Sequence, residues 1–252
     1  MRALILSAGI GQRLRPLTED RPKPLVKVAG RTLLARMIDQ LARVGVSQVV
    51  VATGFAEASV RAALAESPVP TVTCRNDAYD RTQTVASVAV CADALLAGGA
   101  DDTLVFDGDL FLEDSFHTRL CGAPFEGAGM IVAVDRRDDL GAEEMKVLCD
   151  GDRVIAFGKG LDPKKSAGEA TGAVRIAASA LPAILAAVGA AVTAGRTNLY
   201  YEDVWHECLR ANGGTLEARA VDVADLRWTE IDTHEDLARA EELAAGDAPP
   251  TT

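Results

Sequence analysis

The residues best suited to chemistry crowd into the first 27 positions. A loop of small residues, Ser7-Ala8-Gly9-Ile10-Gly11, is followed by four cationic side chains, Arg13, Arg15, Arg21 and Lys23. Small residues let the backbone come close to a ligand, and successive N–H groups in such a loop cradle anionic oxygens. The cations supply the matching charge. Together they make a polyphosphate site in a chain whose formal net charge is −11. The loop is not a P-loop, which needs Gly-Lys-Ser/Thr at its end. Nor is it the dinucleotide fingerprint, because Leu14 stands where the third glycine belongs.

Two acidic points lie far downstream. Asp107-Gly108-Asp109 ends the apolar run from Thr103 to Phe106. Ligands of parallel α/β sheets bind at the carboxyl ends of strands. Two carboxylates there suit a hard divalent cation such as Mg²⁺. A polar turn with a helix cap at Asp109 accounts for the same residues. Asp232 follows Trp228-Thr229-Glu230-Ile231 and precedes a helical pattern, so Asp232 or Thr233 also fits an N-cap.

The string Ala8-Gly9-x-Gly11-x-Arg13-Leu14-x-Pro16-Leu17-Thr18, followed by Pro22-Lys23-Pro24-Leu25, resembles the signature loop of the sugar-phosphate nucleotidyltransferases. Those enzymes join a nucleoside triphosphate to a phosphorylated small molecule. Other segments resemble the compact phosphocholine and phosphonate cytidylyltransferases: Arg75-Asn76-Asp77, Gln83-Thr84 with Ser87, Glu143 to Val147, Leu199 to Trp205, and Glu230-Ile231-Asp232-Thr233. The likeness then covers nearly the whole chain. It implies a Rossmann-like α/β nucleotidyltransferase fold, Mg²⁺ as cofactor, and CTP as the favoured nucleotide, with pyrophosphate released. It also implies roles. Arg13, Lys23, Asp109 and Asp232 would be catalytic, and the two aspartates would hold the metal. Leu6, Ala8, Gly9, Ile10 and Gly11 would bind the nucleotide with Gln83, Thr84 and Ser87. Lys146, Lys159, Glu169, Tyr200 and Glu202 would bind the acceptor. A sugar-1-phosphate transferase using UTP, dTTP or GTP is the rival enzyme. A nucleotide sensor without catalysis is the rival of another class, expected to lack one of the four catalytic residues; all four are present.

The acceptor is left open among a phosphonate, a phosphorylated polyol and other small phosphorylated compounds. A trimethylammonium cage takes several rings, and only 4% of the chain is aromatic. Near the acceptor segment stand Tyr200, Tyr201 and Trp205, and at helical spacing they fit a core as well as a cage. Removing Asp109 or Asp232 is expected to leave the free protein as stable or more so, since two like charges would otherwise repel.

The elements that must position these residues alternate. Ala3–Leu6 reads as a buried strand. Leu33 to Val44 repeats at helical spacing and stops at Gly45. Gln48–Ala52 reads as a strand, Glu57–Leu64 as a helix, Thr71–Cys74 as a strand, Thr84–Leu96 as one long helix and Thr103–Phe106 as a strand. This order predicts a mostly parallel central sheet flanked by helices. The second half predicts a strand at Met130–Val134 and a hairpin around Asp150-Gly151-Asp152, forming a small β-hairpin subregion on the acceptor side. Strands at Thr171–Ile176, Leu216–Val223 and Trp228–Ile231, and helices at Ser179–Ala194, Tyr201–Ala211 and Thr233–Ala244, complete it. We expect one domain over residues 1–246 and a loose tail over 247–252.

The rest is exclusion. The acidic balance argues against nucleic-acid or anionic-membrane binding. No run nears the ~18 apolar residues of a membrane span. The five cysteines show no Cys-x-x-Cys pattern, which fits a reducing compartment. With no leader sequence evident, a cytoplasmic monomer or homodimer is expected.

Overall fold

The structure is a computed structural model in which residues 1–246 are described; the expected tail at 247–252 lies outside them. Strand β1 (Arg2–Ser7) leads into the small-residue loop and two short 3-10 turns. A tight hairpin, β2 (Lys27–Val28) and β3 (Arg31–Thr32), then feeds helix α1 (Leu33–Arg43). Thr32 caps α1 by accepting from the Ala35 N–H at 3.2 Å. Leu33, Leu34, Met37, Ile38 and Leu41 form its buried stripe. There follow β4 (Gln48–Thr53), α2 (Glu57–Leu64), β5 (Thr71–Arg75), α3 (Thr84–Ala89), α4 (Ala92–Leu96) and β6 (Thr103–Asp107). The run read as one long helix is therefore two. The Cys91 N–H reaches back to Val88 rather than to Ser87, and this tightened step ends α3.

Two elements here were not foreseen, β7 (Leu110–Leu112) and α5 (Asp114–Gly122). After them come β8 (Met130–Asp135), the expected hairpin β9 (Lys146–Asp150) and β10 (Arg153–Gly158), β11 (Gly168–Ile176), α6 (Leu181–Thr193) and α7 (Tyr201–Cys208). The described chain ends through β12 (Ala218–Asp222), β13 (Trp228–Glu230) and α8 (His234–Ala245).

Nine strands form one sheet in the order β5-β4-β1-β6-β11-β8-β12-β10-β9. Strands β5, β4, β1 and β6 are parallel, as the βαβα order requires. The expectation of a mostly parallel sheet holds for strand direction, since only β11 and β10 run against the rest. It does not extend to every pairing. β11 sits between β6 and β8, antiparallel to both, and the hairpin turn forces β10 against β9.

Alternation along β1 explains the two-sided core. Leu4 and Leu6 face one apolar layer with Val50, Val105 and residues of α3, α6 and α7. Ala3 and Ile5 face the other, with Val51, Leu104 and residues of α1 and α2. A strand covered on both faces reads as an unbroken apolar run. Register sets the site. Leu6 of β1 lies opposite Asp107 of β6, so the loop after β1 and the turn after β6 emerge side by side at the carboxyl end of the sheet.

Candidate active site

That juxtaposition is close enough to demand glycine. A Cβ at Gly108 would lie 2.2 Å from the Leu6 carbonyl oxygen, and one at Gly54 would lie 2.8 Å from the Ala8 oxygen. Gly11 has φ +67, and a Cβ there would meet the Lys23 stem at 2.7 Å. Its function is to shape the loop: Thr18 donates to its carbonyl at 2.6 Å. Gly11 itself does not line the cleft, whereas Leu6, Ala8, Gly9, Ile10, Gln12 and Arg13 do.

The unforeseen β7 is what brings the two acidic points together. It pairs with β13, setting Glu230 opposite Leu110, and the Ile231 N–H donates to the Asp109 carbonyl at 3.0 Å. Asp109 and Asp232 therefore flank one two-stranded ribbon. The helix-cap reading of Asp232 gives way to Thr233. Thr233 caps α8 by accepting from the Asp236 N–H, and Asp236 accepts from the Thr233 N–H in return. The Asp232 side chain is left to face the cleft. Ligand oxygens of Asp109, Glu230 and Asp232 all lie within 4.8 Å of one another. Lys23 donates to Asp109 at 2.7 Å and also to Asp232, and Arg13 pairs with Asp232.

Electrostatics follow from this crowding. Burial alone would lower the Lys23 pKa, but the charges of Asp109 and Asp232 outweigh it and raise the value above that of an ordinary lysine. Glu230 is exposed to solvent and lines the cleft. The Asp109 charge, then burial, then Asp232 push its carboxyl up to about 8. Three hard oxygen donors at this spacing fit a divalent cation.

These groups line a cleft of about 810 Å³. Gln83, Thr84 and Ser87 stand on one wall, and the Asn76 amide donates to Ser87 at 3.2 Å. The acceptor-side residues divide. Lys159, Glu169, Tyr200 and Glu202 line the cleft; Lys146 does not, which corrects its assignment. Lys146 is 1% exposed, and its ammonium donates to the carbonyls of Lys159 at 2.8 Å and Glu144 at 3.3 Å. It holds the turn that presents Lys159. The Lys159 ammonium stands over the Tyr200 ring, 4.9 Å from its centre. Glu169, in strand β11, is nearly buried and pairs with Arg137 at 2.5 Å.

Sequence reasoning passed over Glu230 and Arg137 as site residues; it offered Asp107 with Asp109 to a cation, and read Tyr201 as core or cage. Asp107 takes a different place from Asp109. Burial, then the Glu202 charge, raise Asp107 well above the usual carboxylate range. The Tyr201 hydroxyl donates to its two oxygens at 3.3 and 3.2 Å. Gly172, at φ +71, leaves the space it fills: a Cβ there would be 2.5 Å from Asp107 Oδ2. The signal was present in Asp107-Gly108-Asp109, where the first aspartate closes the strand and the second the turn.

The description of the MobA-like NTP transferase domain matches residues 3–202. The chain belongs to that family. Two curated relatives align with this chain over almost its full length. One is the CMP-5'-(3-aminopropyl)phosphonate synthase of Streptomyces rubellomurinus, 29% identical over 96% of this chain and 38% of the relative. The other is the bifunctional IPC transferase and DIPP synthase of Rubrobacter xylanophilus, 31% identical over 97% of this chain and 52% of the relative. The chain thus spans about half or less of these proteins. Among solved structures, the CTP:phosphocholine cytidylyltransferase of Streptococcus pneumoniae superposes with a TM-score of 0.77 at 22% identity, covering 96% of this chain and 98% of that one. The inositol-1-phosphate CTP transferase of T. maritima gives 0.78 at 19%, with 98% of each chain covered. These two likenesses establish a shared nucleotidyltransferase fold.

Proposed function

We propose that this chain transfers a cytidylyl group from CTP to a small phosphorylated or phosphonate acceptor, releasing pyrophosphate and leaving a CMP-linked product. The observation that carries the reading is the convergence of Asp109 and Asp232 on Lys23 and Arg13, beside the glycine loop. Relatives with CMP or CTP in their names support the choice of nucleotide.

The mechanism follows from charge. A phosphate or phosphonate oxygen of the acceptor attacks the α-phosphorus of CTP; a new P–O bond forms, and the bond to pyrophosphate breaks. Both reactants are anions, so catalysis is positioning and neutralisation, with no covalent enzyme intermediate. Asp109 and Asp232, with Glu230 beside them, would hold Mg²⁺, whose charge offsets that of the triphosphate. Arg13 offsets charge on the departing pyrophosphate, and Lys23 lies along the α-phosphate and the incoming oxygen. Lys159, presented by Lys146, receives the acceptor phosphate. The loop Leu6–Ile10 holds the nucleotide against the Gln83–Ser87 wall.

The test is pyrophosphate release in a matrix of CTP, UTP, dTTP and GTP against phosphorylated and phosphonate acceptors. Turnover with CTP and Mg²⁺ is expected. A preference for UTP, dTTP or GTP with a sugar 1-phosphate would replace the cytidylyl reading. Binding of nucleotide with no turnover against any acceptor would leave a sensor.

A further inference from the structure

Two of the five cysteines meet behind the wall that carries Ser87. Alternation along β5 puts Cys74 and Asn76 on one face, while Arg75 turns to Glu57 of α2 on the other. Ser87 and Cys91 stand four positions apart. The backbone stays helical through Val90 and Cys91, so these two also share a face. The two segments run past each other in opposite directions, and the Asn76 amide donates to the Ser87 hydroxyl at 3.2 Å. Two residues along a strand advance about 6.6 Å and four along a helix about 6 Å. The next rung of the same ladder is therefore Cys74 against Cys91. Both pack in the apolar layer that β1 shares with α3, and the Cys91 thiol donates to the Cys74 sulfur.

The pair is asymmetric. Cys91 is buried, and Cys74 is only partly so. The Cys91 hydrogen bond outweighs burial and the Asp93 charge, and holds the Cys74 thiol at about 7. The same bond and burial hold Cys91 far above the usual thiol range. Cys121, Cys149 and Cys208 are all raised by burial. An accessible thiol of low pKa beside a second thiol is the arrangement in which the first attacks and the second resolves.

We infer that Cys74 and Cys91 form a reversible disulfide that tightens the Ser87 wall and weakens nucleotide binding. The oxidant is a low-molecular-weight disulfide such as oxidised glutathione. The Cys74 thiolate attacks one of its sulfurs, a mixed disulfide forms, and one glutathione leaves. Cys91 then attacks the Cys74 sulfur, closing the bond between them and releasing the second glutathione. Two protein thiols are oxidised, and one glutathione disulfide is reduced to two thiols that keep the protons. Bond formation brings the sulfurs from hydrogen-bond contact to about 2.05 Å, which draws the end of α3 onto β5. Ser87, one helical turn back, lines the cleft and moves with it. The effect on CTP rests on the cytidylyltransferase reading above; the disulfide does not.

The experiment incubates the whole protein with oxidised glutathione, counts free thiols, and maps tryptic peptides without reduction. Cleavage after Arg75 and Arg81 puts the two cysteines on separate peptides. Two of the five free thiols should disappear, residues 74 and 91 should appear in one cross-linked species, and dithiothreitol should restore both thiols. Cys91→Ser should stop at the mixed disulfide, with one glutathione on Cys74. CTP affinity, read by titration, should fall by about tenfold on oxidation of the wild type and stay unchanged in Cys74→Ser. Links through Cys121, Cys149 or Cys208 instead, or no link at all, overturn the inference. A Cys74–Cys91 link with unchanged CTP affinity overturns the control of nucleotide binding. Reduced protein that binds none of CTP, UTP, dTTP and GTP overturns that control together with the cytidylyltransferase reading, while the peptide map still decides the disulfide. The wild-type map and titration decide even if a serine variant folds poorly.

Discussion

Lys23 and Asp109, 86 positions apart in the chain, meet at 2.7 Å, and the same ammonium reaches Asp232. One lysine thus holds together two carboxylates that would otherwise repel. This reverses the sign expected from sequence alone, where removing either aspartate relieves repulsion. With the bridge in place, removing an aspartate strips a half-buried lysine of a partner.

The first prediction separates the two loop cations. Lys23→Ala and Arg13→Ala should each lower kcat by about 100-fold, as a lost transition-state charge contact does. Their stabilities should differ. The Lys23 side chain is 17% exposed and that of Arg13 is 61% exposed. Lys23→Ala should lower Tm by several degrees, at about 2–4 °C per kcal/mol for a chain of this size. Arg13→Ala should leave it nearly unchanged. Equal Tm values for the two variants would refute the bridge.

The second concerns the metal. Asp109→Asn and Asp232→Asn should each cut activity by about 100-fold or more, and the double variant should be little worse than the weaker single, because groups acting as a unit are not additive. Excess chelator should abolish turnover. Full activity in chelator would remove the metal from the mechanism.

The third is a binding measurement that needs no acceptor. CTP with Mg²⁺ at about 100 times its Kd should stabilise the protein by about 2.7 kcal/mol, read as a rise in Tm. Gly9→Ala should blunt that shift without lowering the basal Tm, since a Cβ there meets nothing within 4 Å in the free protein. Gly108→Ala should lower the basal Tm sharply, because its Cβ collides with backbone. A shift of wild-type size in Gly9→Ala would remove that glycine from the nucleotide site.

The fourth uses pH. Burial pushes Glu202 from its ordinary 4.5 up to about 7. A carboxyl whose pKa is raised in the folded state binds more protons there than in the unfolded chain. Its contribution is therefore favourable at low pH and is lost as pH rises between about 4.5 and 7. Glu202→Gln should flatten that decline and melt higher than wild type at pH 8. A steeper decline in the variant would contradict the burial argument. Asp107, raised for the same reason, should leave some slope behind.

Much of the fold was legible because it depends on local patterns. Apolar runs such as Gln48–Thr53 need burial on both faces, and Glu57–Leu64 matches its expected bounds. What escaped was non-local. Leu110-Phe111-Leu112 is too short to read as a strand until β13 arrives from far along the chain. Lys146 lies in a strand bordering the acceptor residues, and nothing in its neighbours tells that its ammonium turns to two backbone carbonyls. Arg13, Lys23, Asp109 and Asp232 were found through a motif. Glu230 and Asp107 sit beside motif residues, yet only the three-dimensional arrangement separates them from ordinary strand ends.

The β7–β13 ribbon also carries an implication for the order of assembly. The large sheet is complete at Asp222. A growing chain that has not yet added Trp228 already owns every strand of that sheet, the glycine loop, Lys23 and Asp109. It has neither Glu230 nor Asp232. Competence is therefore the last thing this chain acquires in order of synthesis: until the final ribbon strand arrives, the cleft lacks two of the three carboxylates gathered there.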